Sequence, residues 1–107
     1  MAETALFMRQ ASDIWSDEER SAFVDFIAHN PEAGDVIPDS GGVRKVRWRR
    51  QGTGKRGGVR VIYFHGGGDI PLYLLMIYAK ARRDDLSPDA KRTVQMFAAR
   101  LKNAQRR

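Results

Sequence analysis

Two short segments rich in β-branched and aromatic residues, 43–48 and 59–65, constrain the fold most strongly, because a glycine-rich loop separates them. Two such segments joined by a loop of this kind are typical of a β-hairpin. In the first segment, alternation places Lys45 and Arg47 on one strand face and Val46 on the other. We therefore predict an antiparallel hairpin from which two cations project side by side.

The hairpin is expected to lie in a larger sheet. The near-continuous apolar run at residues 72–79 predicts a central strand buried on both faces, which completes an antiparallel meander. Residues 3–8 predict an edge strand at the start of the fold, and the turn-forming residues 31–42 predict a connector without periodic structure. The predicted sheet is antiparallel and has about four strands.

Helix signals lie on both sides of these strands. Ser16 and Glu19 form a capping-box pattern before a helix that should end at Asn30, and residues 11–15 predict a preceding helical turn with Trp15 packed in the junction. The final helix should begin with Ser87 as N-cap, followed by a proline. The fold class expected is α+β, with an N-terminal helical pair and a C-terminal helix packed on the sheet.

Length and composition restrict the architecture and the chemistry. With 107 residues, the chain is expected to form one domain, residues 1–107. Cysteine is absent, which excludes disulfides and thiolate chemistry, and the N-terminal residues lack the layout of a secretory signal. We therefore expect a cytoplasmic protein without contact to a membrane, and without a metal or another cofactor.

The positive charge is concentrated in one segment. The formal net charge is +6, and no acidic residue lies between Asp39 and Asp69, where eight lysines and arginines occur. A solvated protein surface normally mixes both signs of charge, so a long window of one sign indicates a polyanionic partner. Phosphate groups of a nucleic acid fit this pattern better than a plain solubility function.

Part of this charge is expected to be rigidly held. Lys45, Arg47 and Arg60 fall on adjacent predicted strands and form a fixed cluster if they face the same way. In RNA cleavage by the ribose 2′-hydroxyl, such cations stabilise the charge that develops on the phosphorane. The alternative is a static binding surface.

Other residues carry weaker signals. The loop at residues 54–58 lacks the Lys-Ser/Thr pair and the following helix of a nucleotide-binding P-loop, although its glycines permit close approach to a phosphate chain. His29 should cap helix carbonyls, and His65 is a candidate for catalysis. Tyr63 and Tyr78 are expected to pack in the core with hydrogen-bonded hydroxyls, and stacking on a base is the alternative for either.

The order of these elements, with the motifs at residues 30–38, 41–45, 54–63 and 78–80, resembles the RelE/ParE superfamily and its HigB branch. The resemblance covers nearly the whole chain. It implies a RelE-like fold and a toxin of a type II toxin–antitoxin system that cuts messenger RNA in the ribosomal A site. It also implies a cognate antitoxin with a helix-turn-helix DNA-binding domain, through which alone the toxin would reach operator DNA.

Functional residues transfer from the resemblance position by position. The implied catalytic residues are Lys45, Arg47, Arg60 and Lys80. The residues expected to contact RNA are Arg44, Lys55, Arg56, Tyr78 and Arg82. RelE-like enzymes also carry an arginine and a tyrosine at positions that hold Ala81 and Ser87 here; Arg82 or Arg83, and Tyr78 or Tyr63, are the candidate replacements.

Two other classes of function remain open from the residues alone. Superfamily members that poison DNA gyrase share the fold without the ribonuclease residues, and in such a protein the strand cations are replaceable without loss of toxicity. A plain RNA-binding module is the second alternative, and it predicts no toxicity.

Overall fold

The computed structural model describes residues 1–48, 58–67, 70–79 and 86–105. In these ranges the chain forms three helices and five strands, in the order β1 (Ala2–Glu3), α1 (Ala5–Ile14), α2 (Asp17–His29), β2 (Asp35–Val36), β3 (Val43–Trp48), β4 (Val59–Phe64), β5 (Tyr73–Ala79) and α3 (Pro88–Gln105). No helix in this part of the chain has both the length and the apolar character required to cross a membrane.

The strands form one sheet in the order β1-β5-β4-β3-β2. The predicted α+β class and the meander β3-β4-β5 are confirmed, because both neighbouring pairs are antiparallel. The sheet has five strands instead of about four, and it is mixed, since β1 pairs with β5 in parallel.

The strand predicted at residues 72–79 is confirmed as an internal strand that contributes to the cores on both faces of the sheet. The middle strand of the five is nevertheless β4, and every residue of β4 is buried. Arg60 interrupts the apolar pattern of β4, so the sequence makes this strand look less central than it is. The side chain of Arg60 is nevertheless only 5% exposed.

The N-terminal segment is mostly helical, which corrects the strand predicted at residues 3–8. Thr4 is the N-cap of α1, and its hydroxyl accepts a hydrogen bond from the Phe7 amide at 3.0 Å. The same hydroxyl donates to the Leu75 carbonyl at 3.0 Å. The strand therefore ends at Glu3, because Thr4 begins helix α1 and also attaches the start of that helix to β5.

The other helix predictions are confirmed. The Ser16 hydroxyl accepts from the Glu19 amide at 3.2 Å, and the Glu19 carboxylate accepts from the Ser16 amide at 3.1 Å, which forms the capping box. Trp15 is buried in the α1–α2 junction, where its ring contacts Phe7 and Phe23. At α3, the Ser87 hydroxyl accepts from the Ala90 amide at 3.1 Å.

The sheet carries a hydrophobic core on each face. The helices α1 and α2 cover one face, whose buried core consists of Phe7, Ala11, Trp15, Phe23, Ile27, Val46, Val59, Val61, Tyr63, Leu74 and Ile77. Helix α3 covers the other face, whose buried core consists of Ile37, Val43, Ile62, Phe64, Leu75, Val94 and Ala98. Because side chains alternate along β3 and β4, their buried apolar residues are divided between these two layers.

The connector predicted at residues 31–42 contains β2, which the sequence did not reveal. Asp35 pairs with Lys45 and Val36 pairs with Arg44, in an antiparallel arrangement. The turn between β2 and β3 includes Asp39 with a φ of 60°, a backbone conformation that aspartate tolerates better than most residues. A short hairpin is therefore added to the outer edge of β3.

Tyr63 fixes this connector to the sheet. Its buried hydroxyl donates to the Pro31 carbonyl at 2.8 Å and accepts from the Gly34 amide at 2.9 Å. Burial, more than any other cause, raises the pKa of the Tyr63 hydroxyl above its usual range. The predicted packing of Tyr63 in the core with a hydrogen-bonded hydroxyl is confirmed.

Replacing Tyr63 by phenylalanine is expected to lower the free energy of unfolding by about 1–3 kcal/mol near neutral pH, because the buried Gly34 amide and the partly buried Pro31 carbonyl lose their partner. The raised pKa adds a signature at alkaline pH. In the unfolded chain Tyr63 ionises near its ordinary pKa of 10.0, which is below its pKa in the folded protein. The contribution of the Tyr63 hydroxyl to stability is therefore complete below pH 10.0 and is lost as the pH rises through the folded-state pKa.

Urea denaturation of the wild type and Tyr63→Phe at neutral and alkaline pH measures both effects. The difference between the two proteins should shrink at alkaline pH. Equal midpoints at neutral pH would show that the Tyr63 hydroxyl does not hold the connector.

Candidate active site

The hairpin register brings two of the predicted catalytic residues directly opposite each other. Arg47 on β3 pairs with Arg60 on β4, and Arg60 pairs in turn with Tyr78 on β5. Directly opposite residues in an antiparallel ladder have Cβ atoms about 4.5–5.5 Å apart and share a face. The two guanidinium groups therefore start from neighbouring positions on one side of the sheet.

Lys45 lies on the same face, two residues before Arg47. The predicted alternation is confirmed, because Val46 belongs to the core under α1 and α2, whereas Val43 belongs to the core under α3. Along this face, Val43 pairs with Phe64 under α3, and the pair Arg47–Arg60 lies at the opposite end of the hairpin. We call Lys45, Arg47 and Arg60 the cationic cluster.

The cationic cluster lines a cleft of about 670 Å³ at the edge of β3. Asp35 contributes a carboxylate, and Phe26 and Val46 contribute apolar surface. Among the described residues, β2 pairs only with Arg44 and Lys45 of β3. A cleft lined by three cations has the size and charge to receive a phosphodiester.

The three cations differ in exposure, and their exposure decides how firmly each charge is held in place. Arg47 is exposed and Lys45 is half-buried, whereas Arg60 is buried in the central strand. The Nη1 atom of Arg60 donates to the Val59 carbonyl at 3.4 Å. Burial keeps Arg60 in one position, and a positioned charge in a poorly solvated site stabilises a developing anion more than a mobile surface charge does.

Arg44 lies on the opposite face from the cationic cluster. Its Nη1 donates to the Gly34 carbonyl at 2.8 Å and approaches the Glu32 carbonyl at 3.4 Å. These contacts hold the connector beside β3. Arg44, which was predicted to contact RNA, therefore does not lie beside the cationic cluster.

Tyr78 shares the face of the cationic cluster, next to Arg60, but its hydroxyl oxygen is buried and its ring packs on the core under α3. Tyr63, the other candidate for the missing tyrosine, lies on the opposite face. Of the two candidates, only Tyr78 is adjacent to the cluster.

Several predicted site residues lie outside the described part of the chain. These are Lys55, Arg56, Lys80, Arg82 and the candidate replacement Arg83. The basic loop predicted at residues 51–58 is likewise outside it, except for Gly58.

Neither histidine lines the cleft. The Nδ1 atom of His29 donates to the Asp25 carbonyl at 2.8 Å near the end of α2, which confirms the predicted capping role. His65 follows the end of β4 that lies farthest from Arg60. The arrangement does not form a ribonuclease site of the two-histidine type.

Asp35 is the cleft residue that sequence reasoning missed. Its place opposite Lys45 depends on β2, a strand of two residues within a segment rich in proline and glycine. The available signal was the turn sequence at residues 38–42, which precedes β3 and permits a hairpin.

The comparison with known families agrees with this architecture. A family model described as the RelE toxin of the RelE / RelB toxin-antitoxin system matches residues 5–107. The chain belongs to the RelE toxin family. The match begins at the first residue of α1 and so includes every element except β1.

Membership of the RelE family indicates the class of protein and its partner. The chain is a toxin of a toxin–antitoxin system, and an antitoxin is its partner. The α+β architecture, with a five-stranded mixed sheet and three helices in the described ranges, is compatible with the RelE-like fold.

Proposed function

We propose that this RelE-family toxin is a metal-independent endoribonuclease that cuts messenger RNA on the ribosome and thereby inhibits translation. The observation that carries the proposal is the convergence of Lys45, Arg47 and Arg60 on one face of the β3–β4 hairpin, where they line a single cleft. The resemblance of its motifs to the HigB branch supports placing it there within the family.

The proposed roles follow from exposure and charge. Arg60, fixed by burial, and Arg47, opposite it, contact the non-bridging oxygens of the scissile phosphate. Lys45 contributes an ammonium group to the same phosphate. Lys80, which the resemblance implies as catalytic, is proposed to assist, and Lys55, Arg56 and Arg82 are proposed to contact RNA.

In this proposal the ribosome selects the position at which the message is cut. Three cations bind any RNA phosphate, so the cleft alone has no means of choosing one position in a message. A ribosome that presents the message in one conformation adds this selection and orients the 2′-hydroxyl. We therefore expect the proposed activity to depend on ribosomes.

The antitoxin is proposed to carry a helix-turn-helix DNA-binding domain and to silence the toxin in the complex. An acidic antitoxin segment would complement the net charge of +6 and the cleft in particular. The toxin would then reach operator DNA only through the antitoxin.

Primer extension on a defined message in a purified translation reaction tests the proposal. We expect new 5′ ends with the wild type only when ribosomes are present, and a loss of these ends with Lys45→Ala plus Arg47→Ala. The matched control is Arg9→Ala plus Arg100→Ala, which removes the same charge at exposed positions on α1 and α3.

An intact message would contradict the proposal if the wild type still arrested growth. A gyrase supercoiling assay with the same variants would then show whether the protein acts as a gyrase inhibitor whose strand cations are dispensable.

A further inference from the structure

We propose that Asp35 is the general base of the cleavage reaction and accepts the proton of the attacking ribose 2′-hydroxyl. The inference rests on the proposed ribonuclease function and adds a catalytic residue to it. It starts from the position of Asp35 in the cleft, beside the cationic cluster.

The β-ladder fixes the side of the sheet on which Asp35 lies. Asp35 pairs directly with Lys45 in the antiparallel β2–β3 register, so the two residues share a face and their Cβ atoms are about 4.5–5.5 Å apart. Arg47 and Arg60 lie on that same face. Asp35 is exposed and lines the cleft in which a phosphate would meet the three cations.

The composition of the cleft selects Asp35 for this role. Arginine is not deprotonated in proteins, and a lysine must first lose a proton before it accepts one. The lining residues Phe26, Ala33 and Val46 are apolar. Within the described lining, the Asp35 carboxylate is the group that accepts a proton at neutral pH without a prior ionisation step.

The proposed step balances with groups already in the cleft. The 2′-hydroxyl proton moves to an Asp35 carboxylate oxygen while the 2′-oxygen forms a bond to phosphorus. The bond between phosphorus and the 5′-oxygen breaks, and that oxygen takes a proton from the Lys45 ammonium group. The products are a 2′,3′-cyclic phosphate and a 5′-hydroxyl, and solvent exchange returns the proton from Asp35 to Lys45.

The charged surroundings of Asp35 come from three elements. The charged groups around it are Lys45, Arg47 and Arg44 on β3, Arg60 on β4, and Glu32 on its own connector. Most of these groups are cations, and three of them line the same cleft as Asp35.

The test measures single-turnover cleavage on programmed ribosomes as a function of pH. We expect Asp35→Asn to lower the rate of the chemical step at least about 10²-fold near neutral pH, with binding unchanged or tighter, and Asp35→Glu to recover part of the loss. The matched control is Glu32→Gln, which neutralises an exposed carboxylate on the same connector outside the cleft lining.

The pH profile distinguishes a base from a structural residue. Without its own base, the variant depends on hydroxide, so its rate should rise about tenfold per pH unit between about pH 6 and pH 8, where the wild type is nearly flat. Formate should also raise the rate of Asp35→Ala, because a small carboxylate fits the vacated position.

Each outcome bears on one proposal. If the wild type cuts and Asp35→Asn stays within about threefold of it, Asp35 is not the base while the ribonuclease function stands. A slow variant whose profile parallels that of the wild type, with no formate rescue, also refutes the base role. If the wild type does not cut, the ribonuclease function itself fails.

Discussion

Replacing Arg60 by methionine is expected to reduce ribosome-dependent cleavage about 10²–10³-fold, the range found when one preorganised donor is removed from a developing anion. Methionine retains much of the apolar stem but removes the buried charge at the centre of the sheet. The loss should appear in the rate of the chemical step more than in binding, because the exposed Arg47 remains available to bind the phosphate.

Two controls make the Arg60→Met result interpretable. Arg9→Ala removes one exposed positive charge from α1 and should leave the rate unchanged. Urea denaturation shows whether Arg60→Met is folded under the assay conditions. A folded variant that cuts at the wild-type rate would show that Arg60 does not stabilise the transition state.

Replacing Phe23 by alanine is expected to cost about 3–5 kcal/mol of unfolding free energy, the usual penalty for a large cavity at a fully buried aromatic residue. Phe23 has no exposed surface, and its ring centroid lies 5.3 Å from those of both Trp15 and Trp48. Most domains are stable by only about 5–15 kcal/mol, so the variant should be largely destabilised.

Phe23 also supports the strand that carries Arg47. Trp48 follows Arg47 on β3, and its ring packs against Phe23 and Phe26 of α2. Phe23→Leu preserves most of the volume and serves as the matched variant, with a clearly smaller loss expected. Urea denaturation measures both. A loss below about 1 kcal/mol for Phe23→Ala would contradict the assignment of Phe23 to the core between α2 and the sheet.

The parts of the site that were predictable depend on local patterns. Alternation along residues 43–48 was sufficient to place Lys45 and Arg47 on one face, because a strand has a period of two. The opposition of Arg47 and Arg60 needs the hairpin register as well. The glycine-rich segment between the strands predicted the hairpin, although it does not determine which residues pair.

The parts that were missed depend on contacts distant in sequence. Thr4 ends β1 and starts α1 while its hydroxyl donates to Leu75, a residue far along the chain that no local pattern identifies. Asp35 reaches the cleft only because β2 folds back on β3. The middle position of β4 was also missed, because an arginine in a hydropathy pattern indicates an exposed position, whereas Arg60 is buried.

The most direct test of the proposed nuclease uses ribosomes programmed with a short message that carries either ribose or a single 2′-deoxynucleotide at the cut position. We predict ribosome-dependent cleavage of the all-ribose message only, with a 2′,3′-cyclic phosphate at the new 3′ end. Cleavage of both messages, or of neither while the protein still arrests growth, would contradict a mechanism in which the cationic cluster promotes attack by the 2′-hydroxyl.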